Sequence, residues 1–118
     1  MQMPLQIAFR HLEPSPAVEE RARQLAHELE QFSSSILRCR VTIDCPHKHQ
    51  TQGRKFEVHL EIVVPDKHIT VSCSHPASDD HEDVYVALRD AFDAATRQLQ
   101  EYERIRRRDV KAHSAPSV

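Results

Sequence analysis

Residues 56–73 read FEVHLEIVVPDKHITVSC. Phe56, Val58, Leu60, Ile62 and Val64 occupy every second position, with Glu57, His59 and Glu61 between them. Successive side chains on a strand point to opposite faces, so this run predicts a long strand with one apolar face, the best candidate for a central strand. Pro65-Asp66-Lys67 supplies a tight turn, after which Ile69, Val71 and Cys73 return as the neighbouring strand. Upstream, Cys39, Val41, Ile43 and Cys45 alternate with Arg38, Arg40, Thr42 and Asp44. Leu5, Ile7 and Phe9 alternate in the same way with Gln6, Ala8 and Arg10.

Two stretches carry the helical period instead. Val18, Ala22, Leu25, Leu29 and Phe32 recur at three- and four-residue steps, as do Val84, Leu88, Ala91, Ala95, Leu99 and Tyr102. Ser15 is placed to cap the first helix, Pro16 suits a first helical position that needs no N–H partner, and Ser33–Ser35 stop it. The second helix is predicted from about Asp83 past Tyr102, with a loop before it whose acidic residues suit a helix N-terminus. The order is β-α-β-β-β-α, which predicts an α+β two-layer sandwich. The first two strands pair parallel through a crossover, and short connections make the other pairings antiparallel. Each strand has one apolar face, so both helices must cover the same side of the four-stranded mixed sheet. The other side shows Arg10, Arg38, Arg40, Glu57, His59, Glu61 and His68 to solvent.

At 118 residues the chain supports one domain and one core. No apolar run reaches the ~18–20 residues of a membrane span, and no secretory leader is visible. Three cysteines without a Cys-x-x-Cys pair fit free thiols in a reducing cytoplasm. The net charge of −2 conceals a split. Residues 1–103 hold 11 Lys/Arg against 17 Asp/Glu, whereas five basic residues face Asp109 alone from Arg104 onward. Basic segments seek phosphate, and an acidic body opposes broad nucleic-acid contact.

Two segments give the chain a family likeness. Arg10-His11-Leu12-Glu13-Pro14-Ser15-Pro16-Ala17-Val18 leads from strand to helix, and Asp83-Val84-Tyr85-Val86-Ala87-Leu88 opens the second helix, followed by Arg97-Gln98-Leu99. In order and spacing these resemble the ribosome hibernation-promoting factor family, which includes the ribosome-associated inhibitor. The resemblance covers roughly residues 5–105. It implies a hibernation-factor-like domain over residues 1–105, and by its own charge the remainder, 106–118, reads as a basic, mobile C-terminal tail. It also implies a cytoplasmic stress or stationary-phase factor that binds the small ribosomal subunit through 16S rRNA and blocks translation by steric occupation. The chain departs from the family at Phe9, where Gly is usual, and at Leu25, Ala94, Gln100, Glu101 and Glu103, where Lys is frequent. Those departures keep an alternative open, a protein-interaction or regulatory module that has lost ribosome affinity.

The residues expected to contact RNA are Arg97, Arg104, Arg106, Arg107, Arg108 and Lys111, with Arg10, His11 and Arg89 beside them. An Arg guanidinium can donate two parallel hydrogen bonds to a phosphate. The same arginines can instead serve as a solvated helix face with local ion pairs, and for Arg89 that reading is the better one. Tyr85 could stack a base, but its place near the apolar period favours core packing.

No cofactor or metal is expected. Cys45, His47 and His49 end one strand and Cys73 and His75 end another, yet an intervening strand holds the two groups ~9–10 Å apart. One glycine cannot build a phosphate loop, and the serines lack a nucleophile turn, so the chain reads as a non-enzyme. A half-bare sheet or an edge strand leaves a homodimer possible.

Overall fold

The computed structural model describes residues 4–46, 55–77 and 82–114. The elements are β1 (Leu5–Arg10), α1 (Pro16–Phe32), β2 (Arg38–Asp44), β3 (Lys55–Val64), β4 (Lys67–Pro76) and α2 (Glu82–Ser114). They form one sheet in the order β1-β2-β3-β4, parallel between β1 and β2 and antiparallel thereafter. This is the α+β arrangement expected from the alternation of periods.

The register makes one sheet face apolar throughout. Ile7, Val41, Leu60 and Val71 lie opposite one another across all four strands. The adjacent row on the other face is Ala8, Thr42, His59 and Ser72. Both helices pack on the apolar face and share one core with it, in which Val41, Ile43, Val58, Ile62, Ala87, Leu88, Ala91 and Leu99 are fully buried. Fully burying a Val, Leu or Ile side chain contributes ~1.5–3 kcal/mol, so these rows dominate the stability.

The local signals act as their chemistry demands. Ser15 Oγ accepts a hydrogen bond from the Val18 amide at 3.3 Å, and Pro16 takes the first helical position of α1. The helix closes where the Ser33 amide donates to the Leu29 carbonyl at 3.1 Å. Between β3 and β4, Pro65 is followed by Asp66 at φ 66, the left-handed second position of a type II turn, which Asp tolerates better than most residues.

One expectation needs correction. Phe32 does not join the core and is 46 % exposed. The buried stripe of α1 passes through Val18, Ala22, Ala26 and Leu29, and the next step of four reaches Ser33, which is buried in its place. The division drawn at residues 105/106 falls inside α2, which continues in one piece to Ser114. Residues 105–114 contain neither Gly nor Pro and are rich in Arg, so nothing in their propensities ends the helix. At 1.5 Å per residue α2 is about 50 Å long, against about 33 Å for β3, so its basic end reaches past the sheet.

All three cysteines are free thiols; Cys39 and Cys45 are buried and Cys73 is half-buried. Burial pushes the Cys39 thiol up to about 12. A raised thiol stays protonated through neutral pH, so Cys39 should resist thiol-reactive dyes in the native protein and label only on unfolding. Mass spectrometry of labelled peptides, with and without denaturant, checks this. Leu60→Ala should destabilise the fold by ~2–5 kcal/mol in urea titration, whereas Phe32→Ala, removing an exposed ring, should cost well under 1 kcal/mol.

Candidate nucleic-acid interface

The expected RNA contacts divide between two sides of the molecule. Arg89, Arg97, Arg104, Arg106, Arg107 and Arg108 are all exposed on α2, and Lys111 lies further along the same helix. Arg10 belongs to the sheet face that the helices leave bare, where it lines a hollow with Arg40. His11 follows at the corner after β1, with φ 61, and its Nδ1 lies 2.8 Å from a carboxylate oxygen of the buried Asp44. Arg10 therefore stands on the sheet layer and the other expected arginines on α2, with His11 at the corner between β1 and α1.

On α2, geometry decides which cations stand free. Residues seven and eleven apart return to nearly the same side of a helix, so Arg97, Arg104 and Arg108 share a face. Asp90, Asp93 and Glu101 interleave on that face. Arg104 donates through Nε to Glu101 at 3.1 Å and through Nη2 to the other carboxylate oxygen. That hydrogen bond, helped by the charge of Arg104, holds the Glu101 carboxyl below its usual range and raises the Arg104 guanidinium. Arg89 has a 3.4 Å contact with Asp90, in keeping with its reading as a solvated ion pair. Among the described residues Arg97 and Arg108 have no ion-pair partner.

Arg106 works inward. Its Nη1 donates to Ser35 Oγ, and its guanidinium lies 5.8 Å from the centre of the Tyr102 ring, within cation–π reach. Tyr102 is buried and its hydroxyl donates to the Pro65 carbonyl at 2.9 Å. Ser33 Oγ donates to Glu103, and that bond is the main cause holding the Glu103 carboxyl below its usual range. Residues 102–106 thus fasten α2 to the end of α1 and to the β3–β4 turn. Arg107 Nε reaches the Glu103 carbonyl at 3.4 Å and otherwise faces solvent.

The pairing of Glu101 with Arg104 was legible as an i,i+3 spacing. The fastening role of Ser33 and Ser35 was not, because it joins residues 70 and 71 positions apart. Tyr85 is half-buried and packs against the core, the favoured of its two readings. Cys45 follows β2 and Cys73 lies on β4, with β3 between those strands, and His47 and His49 lie outside the described residues.

The sequence profile of the family described as sigma 54 modulation protein / S30EA ribosomal protein matches residues 5–107. The chain belongs to that family. Among solved structures, it is similar to a ribosomal subunit interface protein from Coxiella burnetii, at 17% identity and a TM-score of 0.69. That alignment covers 86% of this chain and 98% of the other. The N-terminal domain of Thermus thermophilus Protein Y aligns at 15% identity with a TM-score of 0.66, over 86% of this chain and 99% of that one. At such identities the two structures speak for the fold. Comparison with curated protein sequences gives no match.

A depressed carboxyl adds stability that is present above its unfolded pKa and is lost as pH falls through the folded value. For Glu103, whose ordinary value is 4.5, the tie between α1 and α2 should therefore weaken on acidification below that point. Glu103→Gln should lower stability at pH 7 by ~0.5–1.5 kcal/mol and flatten its fall with acid, measured by urea titration from pH 7 to pH 3.

Proposed function

We propose that this protein is a ribosome-associated stress or stationary-phase factor that binds the small subunit through 16S rRNA and blocks translation by occupying space that RNA ligands need. The observation that carries this reading is the family match over residues 5–107, which takes in every strand, all of α1 and most of α2. The neighbour from Coxiella burnetii, described as a ribosomal subunit interface protein, supports the same partner.

The physical basis is positional and electrostatic. Arg97, Arg107 and Arg108 are exposed and lack a carboxylate partner among the described residues, so they can meet phosphates without first breaking an ion pair. Arg104 would have to exchange Glu101 for a phosphate, and Arg106 serves the packing of α2 more than the interface. Lys111 extends the basic end along the helix. Such a protein needs no reaction of its own, and a cytoplasmic location follows from its partner. Among the described residues no helix is long and apolar enough to cross a membrane.

Cosedimentation with purified 30S and 70S particles tests the reading. Each phosphate neutralised adds a slope of about −0.7 to −0.9 to the logarithm of affinity against the logarithm of salt, so binding should fall steeply as salt rises. Changing Arg97, Arg107 and Arg108 together to Ala should reduce that slope by roughly two to three and weaken pelleting at every salt concentration. Failure to pellet even at low salt would count against ribosome binding and favour a protein-interaction role for the same fold.

A further inference from the structure

The sheet face away from the helices is not flat. It holds an open hollow of about 510 Å³, a volume that fits a small ligand. Arg10 comes from the end of β1, Arg40 and Thr42 from β2, His59 from β3, and Thr70 and Ser72 from β4. The register gathers all of these except Arg10, which lies opposite Asp44, four positions along β2 from Arg40, and lines the hollow from its end. Arg40 lies between Gln6 and Glu61, Glu61 pairs with Thr70, and Thr42, His59 and Ser72 make the next row.

Three features give the hollow a chemical character. The guanidiniums of Arg10 and Arg40 have no ion-pair partner among the described residues, although both stand in one concavity. Ser72 Oγ is hydrogen-bonded to His59 Nδ1, and His59 Nε2 lies 3.3 Å from Glu57, so ring and hydroxyl are held in place. Glu61 also lines the hollow, putting one carboxylate near the cations.

A pair of unengaged guanidiniums suits phosphate, whose oxygens accept two parallel hydrogen bonds from each fork. The carboxylate of Glu61 repels a ligand that is anionic throughout and accepts hydrogen bonds from hydroxyl groups. Phe, Tyr and Trp are absent from the lining, so a nucleobase would have nothing to stack on. The Ser72–His59–Glu57 chain resembles a nucleophile relay, but Ser72 sits in a regular strand without the sharp turn that exposes a nucleophile.

We propose that the bare sheet face is a binding site for a small sugar phosphate. Arg10 and Arg40 hold the phosphate, and Glu61 with the hydroxyls of Thr42, Thr70 and Ser72 engages the sugar. This site is independent of the ribosome reading, because Arg97, Arg107 and Arg108 are on α2 and Arg40 is on the opposite layer.

The test is a titration of the full chain with ribose 5-phosphate, followed by amide chemical shifts. Saturable shifts should appear at Arg40, Thr42, Thr70 and Ser72, with α2 unmoved. Arg40→Gln and Arg10→Gln should each weaken binding about ten-fold or more, as loss of a charge-assisted contact requires, while Arg97→Gln leaves it within about two-fold. Both positions are exposed, and an unchanged dispersion of the remaining amides verifies folding. Tripolyphosphate should bind more weakly than ribose 5-phosphate, and Glu61→Gln should reverse that order. Absence of saturation by about 20 mM ribose 5-phosphate would overturn the proposal. So would shifts confined to α2, tighter binding of tripolyphosphate to the unaltered protein, or occupation of this face by an RNA oligomer alone. Ribosome pelleting plays no part in the readout, so either reading can fail while the other stands.

Discussion

Burial of one face of β3 is the constraint on which everything else rests. Val58, Leu60, Ile62 and Val64 are almost wholly removed from water, and each lies beside an apolar neighbour on β2 or β4 or beneath a helix. A shift of one residue in either pairing would bring Glu57, His59 and Glu61 into the core and place the aliphatic chains in solvent. The desolvation of those charged groups would far exceed any backbone bond regained. With the register fixed, both helices have only one place to go. The polar face is left uncovered as a direct consequence.

That division also separates the cations of the chain into two populations. Those on α2 are regulated by neighbouring carboxylates. Glu101 engages Arg104, and Glu103 is occupied with Ser33 while Arg106 is turned toward Ser35 and Tyr102. The acidic residues thus do more than lower the net charge. They select which arginines remain available, leaving Arg97 and Arg108 without carboxylate partners among the described residues. A helix that must be anchored at residues 102–106 and still offer cations beyond them needs both kinds of arginine.

Much of this fold was legible because periods of two and of three to four leave different traces in the sequence. The strands, their pairing and the side covered by the helices all followed from Val58 to Val64 and the runs that repeat them. The ends of α1 were legible too, through Ser15, Pro16 and the serines after Phe32. Phe32 itself misled, since a large apolar residue at the last helical position continues the pattern without reaching the sheet. The end of α2 was less legible for the opposite reason: the charged run at residues 104–108 carries no apolar period to follow, although arginine is a good helix former. Contacts such as Ser33 with Glu103 and Tyr102 with Pro65 depend on where one element crosses another. No spacing along the chain encodes them. The hollow holding Arg10 and Arg40 is of the same kind: its residues could be assigned to one face, but their gathering needed the register.

The parallel pairing of β1 with β2 has a topological cost that the rest of the sheet escapes. Val64 and Lys67 meet across a two-residue turn, whereas Leu5 must find Cys39 with all of α1 between them. Closing a loop costs entropy that grows as about 1.5 RT times the logarithm of its length, and a parallel ladder is slightly weaker per residue than an antiparallel one. β1 is consequently the strand whose partner lies furthest along the chain, whereas β2, β3 and β4 each pair with the strand that follows or precedes them in sequence.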